Sequence, residues 1–177
     1  MPEDLTFDLS LYPEPVLRRS AAPVQAFDED LERTVAAMFS LMFESKGVGL
    51  AAPQVGLKRR ILVLNDESDP EKPELNLVLI NPKIVSRTGA RTKAEEGCLS
   101  FPGIYAEVER PECCSVEAQT ITGEAYKADF DGFRSRIIQH EYDHLEGVLL
   151  VDRMSPADKL RNKAELQELV AIYKDAR

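Results

Sequence analysis

The chain has 177 residues, of which 44% are hydrophobic and 30% charged, and its 22 basic and 31 acidic side chains leave a net charge of −9. That length suits a single domain with a substantial core, and the negative balance excludes a general nucleic-acid binder, which needs a basic footprint. No apolar run is long enough to span a bilayer, and the acidic start Met1-Pro2-Glu3-Asp4 shows no basic-plus-apolar leader, so the cytoplasm is the expected location.

A proline-marked arm, Tyr12-Pro13-Glu14-Pro15 and then Pro23, opens the chain. Asp28 or Asp30 can start a helix whose core face is Leu31, Val35, Met38 and Met42 and which ends near Gly47. Strand patterns follow at 60–65, 77–85 (broken at Asn81-Pro82), 105–110, 113–119 and 124–130, with turns expected at Thr88-Gly89 and Thr122-Gly123. The segment from Gly89 to Pro102 is expected to be a loop carrying Cys98. Three cysteines make no disulfide framework. Adjacent Cys113 and Cys114 should point to opposite faces of a strand, as apolar residues in a reducing compartment.

A further helix is predicted from Asp131-Gly132 to Gly147. Phe133, Ile137, His140 and His144 share one side of it, widened by Ile138, Tyr142 and Leu145, with Arg134, Ser135, Gln139 and Asp143 as its polar positions. A last helix begins at Ser155-Pro156-Ala157-Asp158, capped by Ser155 and packed through Leu166, Leu169, Val170 and Tyr173. The expected class is α+β: mostly antiparallel strands around a central helix, with N-terminal and C-terminal helices.

That central helix contains His140-Glu141-Tyr142-Asp143-His144, an H-E-x-x-H pattern that uses both histidines of the chain. Residues four apart share a helix face, so the two imidazoles can bind one metal ion, and Glu141 can reach a water beside it. The pattern points to metal-assisted hydrolysis. A catalytic site of this kind takes three protein ligands, and the third is either Cys98 or a downstream carboxylate, Glu165 or Glu168. Local features favour Cys98, which sits in the glycine bend Glu96-Gly97-Cys98-Leu99-Ser100, over two carboxylates that look like solvent-face residues. Two imidazoles with a soft thiolate suit iron(II), zinc, nickel or cobalt rather than magnesium or calcium.

A third segment, Gly47-Val48-Gly49-Leu50-Ala51-Ala52-Pro53-Gln54, lacks the ending of a P-loop. Followed in order by Glu96-Gly97-Cys98-Leu99-Ser100 and by Gln139 to Gly147, it closely resembles the peptide deformylases. The resemblance covers about residues 10 to 155 and implies one catalytic domain over 1–177 that removes the formyl group from N-formylmethionyl peptides. It implies metal ligands Cys98, His140 and His144, Glu141 as the acid and base, and Gln54 with the backbone N–H of Leu99 as holders of the oxyanion. It further implies ferrous iron in the cell, with zinc, nickel or cobalt as substitutes, and transient ribosome association. The peptide would run beside Gly47, Val48 and Gly49, with Val48, Phe133 and Ile137 either around the methionine side chain or in plain core packing. Arg136, one turn before His140, reads either as a pocket-rim residue or, preferred, as a solvated helix residue, and the Glu96/Arg110 pair either as part of the site or as a surface ion pair.

Overall fold

The computed structural model describes residues 4–177. Five strands form one antiparallel sheet in the order of the chain: β1 (Gly49–Ala51), β2 (Ile61–Leu64), β3 (Leu77–Cys98), β4 (Phe101–Gln119) and β5 (Ala125–Phe130). Helix α1 (Glu29–Glu44) packs on one face of β1 and β2, and α2 (Gly132–Leu145) on the other. Three short helices close the chain: α3 (Leu150–Arg153), α4 (Pro156–Arg161) and α5 (Lys163–Asp175). No helix among the described residues is long and apolar enough to cross a membrane.

The two-sided burial follows from β2. Its side chains alternate, so Ile61 and Val63 pack under α1 while Leu62 and Leu64 pack under α2. A strand covered on both faces reads as an unbroken apolar run, as Ile61-Leu62-Val63-Leu64 does. Asp28 caps α1 by accepting the Leu31 N–H at 3.1 Å. Helix α2 ends as expected at Gly147, whose positive φ of 75° lets Val148 N–H return to the Asp143 carbonyl at 2.9 Å. A Cβ at Gly147 would stand 2.6 Å from the Arg18 carbonyl oxygen, so the N-terminal arm closes over this helix end.

Four sequence expectations need correction. The segment from Gly89 to Pro102 is not a loop: β3 runs on to Cys98 and turns at Leu99-Ser100 into β4. Thr88-Gly89 is not a turn but a register shift inside the long β3–β4 ladder, where the extra residue is absorbed as a bulge. The C-terminal helix is broken at Asn162, which turns its amide onto the Tyr105 and Asp158 carbonyls at 2.9 and 3.0 Å. Ser155 still caps the first piece, accepting Asp158 N–H at 3.1 Å, and Leu169 packs the second piece onto the β4 core. Finally, the separate strands expected at 105–110 and 113–119 are one continuous β4. On α2 the polar positions Ser135, Gln139 and Asp143 are buried. They form a stripe facing β4, where Gln139 donates to the Pro111 carbonyl at 2.9 Å and Asp143 receives Arg110 at 3.0 Å. Buried polar groups persist where each finds a partner, and here β4 supplies them.

Candidate metal centre

Cys98, His140 and His144 come together, with one ligand atom from each lying within 4.8 Å of the others. Cys98 stands at the end of β3, and the two imidazoles project from successive turns of α2. The Cys98 Sγ lies 3.3 Å from Nε2 of His144. His140 is turned the same way by Glu96, whose Oε1 meets its Nδ1 at 3.0 Å and leaves Nε2 for the cluster. Glu165 and Glu168, the other candidates for third ligand, are exposed on α5 and take no part in this cluster.

Glu96 belongs to a buried ionic frame. Arg110 grips it as a fork, with Nε to Oε2 at 2.7 Å and Nη2 to Oε1 at 3.0 Å, and both side chains are 6% exposed. Arg110 also reaches Asp143 at 3.0 Å, and Asp143 takes two bonds from Arg153 at 2.8 and 3.1 Å. The pair is therefore no surface contact. Nor is Arg136 a solvated residue: its guanidinium donates to Glu96 at 2.7 Å and to backbone oxygens of Val108 and Thr92, both at 2.9 Å.

The two imidazoles of the cluster are shifted in opposite directions. Burial works against charge on His140, yet its contacts with Cys98 and Glu96 hold its pKa well above the usual histidine value. His144 is held well below that value by burial first and by His140 and Arg110 next. Glu96 stays ionised against burial because His140 and Arg110 hydrogen-bond its carboxylate and hold its pKa well down. Burial pushes the Glu141 carboxyl up to about 7. A thiol and two imidazoles, backed by a carboxylate, form a donor set that fits a divalent transition metal. Glu141 Oε2 and His144 Nδ1 are buried there without a hydrogen-bond partner.

The cluster opens into a cavity of about 610 Å³. Gly47, Val48, Gly49, Phe133 and Ile137 line it, together with Cys98, Leu99, His140 and Glu141. Phe133 remains 55% exposed at its mouth and is not a core residue. Gly49 allows the close approach of β1 to α2, because a Cβ there would stand 2.8 Å from Glu141 Oε1 and 2.8 Å from Ile137 Cγ2. Gln54 is buried behind the cluster. Its Oε1 accepts Ala51 N–H at 2.9 Å, and its Nε2 points at Ser100 Oγ at 3.2 Å and Cys98 Sγ at 3.6 Å.

Sequence reasoning did not single out Ser100 or Arg153. Ser100 follows Leu99 in the bend and is fully buried, but nothing local announces its contact with Gln54. Arg153 gives no local signal at all. The arm also has a task the sequence did not reveal: Ser10 N–H binds the Gln54 carbonyl at 2.7 Å and Tyr12 N–H binds the Ser100 carbonyl at 2.9 Å. It ties together the two bends that flank the cluster.

Comparison with known proteins agrees with this geometry. A family model described as polypeptide deformylase matches residues 7–160. A peptide deformylase of Thermotoga maritima is 40% identical over 168 residues, covering 95% of this chain and 99% of that protein. The chloroplastic/mitochondrial peptide deformylase 1B of Arabidopsis thaliana is 44% identical over 171 residues, and the match spans 93% of this chain but 62% of that longer protein. The crystal structure of the Plasmodium falciparum peptide deformylase superposes with a TM-score of 0.93 at 44% identity, covering 95% of this chain and 98% of that one. Motifs, fold and matches over nearly the whole length agree, and the chain belongs to the peptide deformylase family.

Proposed function

We infer that Cys98 Sγ and the Nε2 atoms of His140 and His144 hold one divalent cation, ferrous iron in the cell, with zinc, nickel or cobalt as substitutes. The chain is a metal-dependent hydrolase that removes the formyl group from the N-terminal formyl-methionine of new polypeptides and releases formate. The observation that carries this reading is the convergence of the three donors, two of which, Cys98 and His140, line one cavity together with Glu141. A divalent cation held there supplies Lewis acidity, acidifying water and polarising the formyl carbonyl.

The side chains divide the remaining work. Glu141 Oε2, buried and unengaged, takes the proton from water and delivers it to the departing amine. Gln54 is oriented through Oε1, and its Nε2, which rests on Ser100 Oγ and Cys98 Sγ, turns an N–H to the charge that develops on the former carbonyl oxygen, with the Leu99 N–H as a second donor. One such donor is worth about 3 kcal/mol in the barrier. β1 is an edge strand of the sheet, so an extended peptide can align beside Gly47–Gly49 and pair with it. The methionine side chain then enters the cavity among Val48, Phe133 and Ile137.

We read residues 1–177 as one catalytic domain acting in the cytoplasm, in transient contact with the ribosome that supplies its substrate. The test is formate release from a formyl-methionyl peptide by iron-loaded protein prepared without oxygen. Release is expected from the native chain. Glu141→Gln should lower kcat by about 10² to 10⁴-fold while retaining the metal. A native chain carrying one iron and releasing no formate would refute the function.

A further inference from the structure

Arg136 lies one helical turn before His140 and lines the cavity, yet its guanidinium is not offered to a ligand. Nη1 donates to Glu96 Oε2 at 2.7 Å and to the Val108 carbonyl at 2.9 Å. Nη2 donates to the Thr92 carbonyl at 2.9 Å and meets Thr92 Oγ1 at 3.2 Å. The side chain is 12% exposed. Four contacts to three residues on two strands, β3 and β4, are a costly way to hold a solvent residue. The carboxylate they reach is the one that orients His140.

We propose that Arg136 is a positioning residue of the reaction: it locks the Glu96 carboxylate against His140, and its own place in the cavity wall ties that wall to the metal ligand. The proposal rests on Cys98, His140 and His144 being the ligands. The division of labour around Glu96 supports it. Arg110 supplies the in-plane fork from inside the core. Arg136 adds a second guanidinium on Oε2, the oxygen that His140 does not use, so each carboxylate oxygen of Glu96 has two partners. An ammonium at the same position offers its donors from one nitrogen, whereas Glu96 and Val108 are served by Nη1 and Thr92 by Nη2, so it holds the three acceptors less well together.

The experiment uses the cobalt(II)-loaded enzyme, whose thiolate-to-cobalt absorption reports the ligand geometry directly. Arg136→Met keeps an unbranched apolar stem and removes the fork. The expected result is a shifted cobalt spectrum, metal loss to a chelator about tenfold faster, and kcat about tenfold lower with KM for a formyl-methionyl peptide within about twofold. Arg136→Lys should fall between the two, and it carries the comparison if the Met variant does not fold. A folded variant with the native spectrum and the native rate of cobalt loss would overturn the proposal while leaving the ligand assignment intact. A native enzyme that binds cobalt with no thiolate absorption would overturn both.

Discussion

At the scale of single residues, the group proposed to move the proton depends on a missing side chain elsewhere. Glu141 is placed by α2, but its approach to β1 is set by Gly49, where the absence of a Cβ lets the strand lie against Oε1 and against Ile137. Gly49→Ala would press a methyl to 2.8 Å from both atoms, and either the carboxylate or the strand must give way. Overpacking of this kind costs about 1–3 kcal/mol. The catalytic cost should be larger in proportion, since a misplacement of about 1 Å is worth on the order of 100-fold in rate. The expected outcome is a folded variant with a modest drop in Tm and a kcat lowered by between about 10- and 100-fold. Steady-state kinetics beside thermal unfolding check this, and full kcat in the folded variant would show that β1 does not fix Glu141.

Among elements, the β3–β4 hairpin and α2 are joined by charge as much as by apolar packing. Ile104, Ala106, Val108 and Arg110 alternate along β4 as its inward positions, so an arginine occupies a place where the pattern calls for a hydrophobe. Its partners Glu96 and Asp143 lie on β3 and α2. Arg110→Leu would leave the Glu96 carboxylate buried without its fork, and removing one member of such a pair costs about 3–5 kcal/mol. Denaturant unfolding should show that loss, and a cost under about 1 kcal/mol would mean that the frame is not load-sharing. The alternation was readable in the sequence and marks Arg110 as inward, since it stands in step with Ile104 and Val108. The partner on α2 was not readable, because Asp143 looks like ordinary helix-face polarity until β4 is laid against it. For the same reason the Cys98 segment looked like a loop. Its Glu-rich, glycine-broken composition carries no period-2 signal, and only pairing with the strongly patterned β4 makes it a strand.

Across the whole molecule, the metal cluster joins segments far apart in sequence, and the fold serves to bring them together. The two histidines and Glu141 were legible because helical periodicity places them locally. Cys98 could be named from the glycine bend beside it, and the family resemblance strengthened that choice. The Glu96/Arg110 pair was anticipated, but the arm that ties the Gln54 and Ser100 bends, the link from Glu96 to His140 and the links from Arg110 through Asp143 to Arg153 could not be read beforehand. They are tertiary hydrogen bonds between residues with no fixed spacing. The most direct measurement is X-ray absorption together with anomalous diffraction at the metal edge, on crystals of the iron- or cobalt-loaded protein. One sulfur at about 2.3 Å and two imidazole nitrogens at about 2.0–2.1 Å are predicted, assigned to Cys98, His140 and His144. An ion bound at the α5 carboxylates, or one with no sulfur neighbour, would contradict the assignment.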